Sequence, residues 1–129
     1  MAKIPTTIKP VIWSWRTDCP ASVMWTSIMT MAAVGKYHLE INGAANIFAA
    51  MCVLYGVIGL LRMFTNPAHV VQGKPWVFRF TERAVLWALI AATVWFGDWW
   101  HFAALIAFLI GSAAHRKAAE SRYADQQVA

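Results

Sequence analysis

Ionisable residues are missing from most of the apolar part of this chain. No Asp, Glu, Lys, Arg or His occurs between Gly43 and Leu61, between Ala84 and Gly97, or between Phe102 and Ala114. Proton-coupled transport usually relies on such a group within the membrane, so the gap argues against that activity. Cysteine is scarce too. Cys19 and Cys52 are too few for a disulfide framework and show no metal-binding or redox spacing. No Ser-His-Asp arrangement, Gly-rich phosphate loop or paired-carboxylate motif is present, and an enzyme is not expected. Internal repeats and low-complexity stretches are absent as well.

What is present is apolar surface. Sixty percent of the 129 residues are hydrophobic and eight are Trp, more than a soluble domain of this size can bury, so much of that surface is expected to face lipid. The formal net charge is +5, from 11 Lys and Arg against 6 Asp and Glu. These cations punctuate hydrophobic segments instead of forming one patch, which favours anionic lipid headgroups as partners over nucleic acid.

A bilayer core of about 30 Å needs about 20 helical residues. The sequence offers four spans, at 20–37, 43–64, 81–97 and 99–115; the second is of full length and the others are short, feasible where flanking Arg and Lys reach outward. A single helix over 84–114 would run to about 46 Å, far beyond the hydrocarbon thickness, so a break at Gly97-Asp98 is preferred. Charge placement agrees. With four spans and the N-terminus inside, Lys3, Lys9, Arg16, Arg62, Lys74, Arg79, Arg83, Arg116, Lys117 and Arg122 all fall on the cytoplasmic side and only Lys36 lies outside. The expected fold is therefore all-α: an integral four-helix bundle of two helical hairpins in the inner (cytoplasmic) membrane, multi-pass, with both termini cytoplasmic.

Residues 1–19 lack a signal-peptide core and are expected to stay on the protein as an interfacial segment anchored by Trp13 and Trp15. The connection over 65–80 is expected to lie along the membrane surface, with Asn66-Pro67 stopping the second helix and Thr81 capping the third. The polar tail, 116–129, favours continuation of the fourth helix.

The stretch WFGDWWHF, residues 95–102, reads as an external hairpin in which Gly97 ends one helix and Asp98 caps the next, with Trp95, Trp99 and Trp100 in the aromatic belt. The alternative gives Asp98 a place in a ligand or partner site. His38, Glu40, Asp98 and His101 are candidate divalent-metal ligands on the outer side. His38 and His101 near one face, with His69 and His115 near the other, are the pairs that b-type haem would need.

Small residues recur on two helices: Ala45, Ala49, Cys52, Gly56 and Gly59 on the second, and Ala104, Ala107, Gly111 and Ala114 on the fourth. Such faces let helix backbones approach closely, within one chain or between chains. Size and four-span plan are similar to those of small multidrug-resistance exporters. The buried first-helix glutamate of that family has no counterpart, because Glu40 lies beyond the helix end, so the resemblance covers topology alone. The expected function is that of a non-catalytic membrane protein acting by helix packing, as an accessory or assembly subunit of a larger complex or as a self-associating bundle. A holin-like pore former is the alternative, and a haem- or quinone-binding anchor subunit the third.

Overall fold

Helix ends fall where the chain carries stop signals. The computed structural model describes residues 7–128. Its elements, in chain order, are β1 (Lys9–Ile12), α1 (Asp18–Tyr37), α2 (Asn42–Phe64), β2 (His69–Gln72), α3 (Trp76–Trp95) and α4 (Trp99–Val128). Pro20 sits in the first turn of α1, where its missing N–H leaves no intrahelical bond unmade. The reversal between α1 and α2 is tight: Glu40 adopts φ 55°, and a β-carbon on Gly35 would lie 2.5 Å from Ala44 Cβ.

The architecture is helical, and α2 and α4 are each long and apolar enough to cross a membrane. They form the central pair, with α1 packed on α2 and α3 set against α1 and α4. Met29, Ala32 and Ala33 of α1, Phe48, Met51 and Cys52 of α2, Leu89 and Ile90 of α3, and Leu105 of α4 make one buried cluster. It occupies the end of the bundle nearest the α1–α2 and α3–α4 turns.

Within the expected interfacial segment, residues 9–12 form a strand. They pair in parallel with 69–72, Lys9 opposite His69 and Ile12 opposite Gln72, and the Trp13 N–H extends the ladder to the Gln72 carbonyl at 2.8 Å. Trp13 is buried at 7% exposure, packed on Phe78 and Trp15, while Trp15 is 65% exposed. Ile8, Val70 and Ala119 form a second small core with Tyr123 packed on it, and the Gln126 amide bonds both the N–H and the carbonyl of Ile8. The tail of α4 is thus the lid of a small sheet. Residues 1–6 of the expected interfacial segment lie outside the described residues.

One expectation needs correction: α3 begins at Trp76 after Pro75, five residues before Thr81, which therefore does not cap it. The alternation of Trp76, Phe78 and Phe80 looks extended, but Pro75 fixes a suitable helix entry and Phe78 turns inward to meet Trp13 and Trp15. Glu82, freed from any first-turn role, accepts hydrogen bonds from the Ser22 hydroxyl and from Lys74 Nζ, the latter at 2.6 Å. It ties α3 to α1 and to the preceding loop. The tail does continue α4 without a break as far as Val128.

Candidate functional site

The turn between α3 and α4 is built by Gly97. At φ 74° it occupies the left-handed region, and the Asp98 N–H bonds the Thr93 carbonyl while the Gly97 N–H bonds that of Val94. This double closure is the Schellman arrangement, which a glycine reaches without steric cost. Asp98 then stands immediately before α4, its backbone carbonyl accepting from the Phe102 N–H at 3.0 Å.

Position alone makes Asp98 the helix cap, but its side chain does something else. Oδ2 accepts from Lys36 Nζ at 2.6 Å and from the Tyr37 hydroxyl at 2.5 Å, both at the end of α1. No backbone N–H of α4 bonds the carboxylate among the described residues. The expected cap is therefore replaced by a tertiary clamp between the α3–α4 turn and α1. A carboxylate bonded by an ammonium is stabilised more strongly than one bonded by a neutral donor. Burial pushes the Asp98 pKa up, but the bonds from Lys36 and Tyr37, together with the Lys36 charge, more than offset it and hold the group below the ordinary carboxylate value.

His101 lies in the first turn of α4 and is 5% exposed. Its Nε2 is 3.4 Å from Lys36 Nζ, its ring stacks on Phe48 at 11° between planes, and Trp100 lies 3.7 Å away between centroids. An ammonium can only donate, so the contact makes Nε2 the acceptor and assigns the ring proton to Nδ1. Nδ1 is buried with no hydrogen-bond partner among the described residues. Lys36, Tyr37, Asp98 and His101 form a polar knot roofed by Phe96, which stacks on Tyr37 at 4.4 Å, and floored by Phe48. One cation meets one anion, and the carboxylate is engaged by two donors. The knot fastens the turn end of the bundle.

Of the outer candidates, Asp98 and His101 come together through Lys36, whereas His38 and Glu40 are exposed in the α1–α2 turn. Among the described residues no group of three or more His, Cys, Asp or Glu side chains is placed to hold a metal. The candidate haem pairs fare differently at each end. His69 is exposed at the start of β2, and His115 contacts the Arg62 carbonyl through Nδ1 at 3.2 Å. Lys36 and Tyr37 are the members that sequence reasoning passed over. The available signal was that Lys36 is the lone cation assigned to the side where Asp98 lies.

The small residues of α2 and α4 meet each other. A β-carbon on Gly56 would lie 3.1 Å from Ala104 Cβ, one on Gly59 would overlap the Ala107 carbonyl and lie 2.5 Å from Phe108 Cα, and one on Gly111 would overlap the Gly59 carbonyl. Cys52 is fully buried, Ala45 and Ala49 are half-buried, and Ala114 is exposed beyond the contact.

Comparison with known proteins adds nothing to this geometry, since no family model, curated protein or solved structure matches the chain.

Proposed function

We propose that this chain is a four-span protein of the inner (cytoplasmic) membrane, with both termini cytoplasmic, that acts without catalysis as an accessory or assembly subunit of a larger membrane complex. The observation that carries the reading is the distribution of bulky apolar side chains. Val23, Met31 and Val34 on α1, Val53 and Leu60 on α2, Trp87 and Val94 on α3, and Ile110 on α4 are all exposed. Bulky apolar side chains exposed on all four helices call for lipid or another membrane helix.

The sheet supports the topology. Strands β1 and β2 pair, so the intervening α1–α2 hairpin returns to the side from which it left, an even number of crossings. The bonds from Gln126 to Ile8 extend the same parity to α3 and α4.

A packing role, in preference to catalysis, is favoured because the Asp98 carboxylate is engaged by Lys36 and Tyr37 in a contact between helices. The small faces of α2 and α4 are occupied by each other, which leaves the bulky exposed side chains, and not the small faces, to meet a partner subunit. The holin-like alternative and the self-associating bundle both require helix faces for many copies of one chain, and the mutual contact of α2 and α4 makes them second choices.

The topology is tested with single cysteines at Ala2, Leu39 and Ala129, after Cys19 and Cys52 are changed to Ser. In intact cells a membrane-impermeant thiol reagent should label only the Leu39 position. Labelling at either terminus overturns the topology. Purification in mild detergent tests the role. Co-purifying subunits in fixed ratio support it, a large homo-oligomer points to the pore-forming alternative, and a Soret band points to the haem-binding anchor.

A further inference from the structure

At the end of the bundle opposite the polar knot, the helices splay around an open cleft of about 1000 Å³. Its inner wall is apolar and drawn from all four helices: Met29 of α1, Leu54 and Ile58 of α2, Leu86 of α3, Phe108 and Leu109 of α4. Its mouth is cationic. Arg79 and Arg83, one turn apart on α3, and Arg116 on α4 line both the cleft and an adjoining hollow of about 380 Å³ bounded by Trp76, Phe80 and Glu120.

Other charged side chains line the cleft as well. Glu82 is paired with Lys74, Asp18 Oδ2 accepts the Ser14 N–H, and Arg62 donates to Ser112. Among the described residues Arg79, Arg83 and Arg116 form no ion pair, and Glu120 is the one acidic side chain in their hollow. Around the whole cleft Arg62, Lys74, Arg79, Arg83 and Arg116 face Asp18, Glu82 and Glu120, which leaves a net positive charge. Burial and the neighbouring Arg83 and Arg79 push the Arg116 pKa below its ordinary value, with Glu120 opposing. Phosphate oxygens accept several guanidinium hydrogen bonds at once, and aromatic side chains beside them suit the headgroup level of a bilayer.

We propose that this cleft binds an anionic phospholipid of the cytoplasmic leaflet, its phosphate held by Arg79, Arg83 and Arg116 and its acyl chains lying against the apolar wall between Met29, Leu54, Leu86 and Phe108. The inference rests on the membrane reading given above, under which these arginines stand at the cytoplasmic surface, where basic pockets between helices meet anionic headgroups. A bound lipid fills the space that splays the helices and neutralises the arginines together. One ligand answers both features.

The test uses the full chain purified in dodecyl maltoside and titrated with phosphatidylglycerol, phosphatidylcholine or inorganic phosphate, read by native mass spectrometry. Phosphatidylglycerol should form a one-to-one adduct at concentrations on the order of tenfold lower than phosphatidylcholine. Inorganic phosphate should neither bind comparably nor displace it. The triple variant Arg79→Gln/Arg83→Gln/Arg116→Gln should lose that preference, while Lys117→Gln/Arg122→Gln, equally basic positions outside the cleft, should keep it. Leu54→Trp, which fills the apolar wall, should weaken phosphatidylglycerol binding with the arginines intact.

Equal binding of the two lipids, binding of phosphate as tight as that of phosphatidylglycerol, or a triple variant of native helicity that retains the preference each overturns the proposal. Alkaline extraction of membranes separates this from the broader reading. A chain that stays in washed membranes yet shows no lipid preference defeats the lipid site alone, and one released by the wash defeats both.

Discussion

The carbonyl oxygen of Gly59 occupies the place that a β-carbon on Gly111 would take, so the backbones of α2 and α4 touch without an intervening side chain. Neither glycine has a positive φ, and the demand at both positions is therefore for space alone. Gly59→Ala and Gly111→Ala should each lower stability in detergent by about 1–3 kcal/mol, the usual cost of forcing extra volume into a packed contact. Gly43, also in α2, has nothing within 4 Å of a built β-carbon. Gly43→Ala should be neutral or stabilising by up to about 1 kcal/mol through helix propensity. Thermal unfolding followed by circular dichroism ranks the three, and equal effects at Gly43 and Gly59 would remove the α2–α4 contact as an explanation.

Asp98 and Lys36 should show coupling in a double-mutant cycle. Their side chains are 27% and 18% exposed, between the surface and fully buried cases, so a coupling of about 1–3 kcal/mol is expected from Asp98→Ala, Lys36→Met and the double variant. Asp98→Asn should be worse than wild type, since an amide accepts a hydrogen bond but leaves the ammonium uncompensated. A simple helix cap would tolerate Asn. Stability of Asp98→Asn equal to wild type, with no coupling to Lys36, would restore the capping role.

Acid should erase that difference. The folded-state pKa of Asp98 lies below its ordinary value, so its contribution is fully present above the unfolded value of about 4 and is lost as pH falls through the folded value. Wild type and Asp98→Asn, separated in melting temperature at pH 7, should converge only below about pH 4. A gap that stays constant down to pH 3 would mean that the Asp98 charge does not contribute.

The α4 tail should protect the first strand. Ala119→Glu places a charge in the Ile8–Val70 cluster, and Gln126→Ala removes both bonds to Ile8. Cleavage by trypsin after Arg16, which follows the first strand, should accelerate by on the order of tenfold in the combined variant, as expected when local opening becomes about 1.4 kcal/mol easier. The melting temperature of the helical bundle should change little. Unchanged cleavage would indicate that the strand is held by β2 alone.

What the sequence made legible was local. Long apolar runs punctuated by Asn66-Pro67 and Gly97 placed α2 at 43–64 against the observed 42–64, α1 at 20–37 against 18–37, and the start of α4 at 99. The missed features depend on partners far along the chain. The four-residue strand Lys9–Ile12 contains Pro10 and is too short to declare itself, and it forms because β2, sixty residues later, offers it a ladder. Trp76, Phe78 and Phe80 alternate as a strand does, yet they open α3. The aspartate was placed correctly before α4, but its carboxylate finds Lys36, which no reading of nearest neighbours would supply.

The contact between Gly59 and Gly111 also imposes an order on synthesis. The helix that covers the small face of α2 is the last one made, and about fifty residues must emerge after Gly59 before its partner exists. At roughly 5–20 residues per second that interval is several seconds. Throughout it the glycine face of α2 has no α4 to cover it, so the groove is exposed only during translation and closes when α4 arrives.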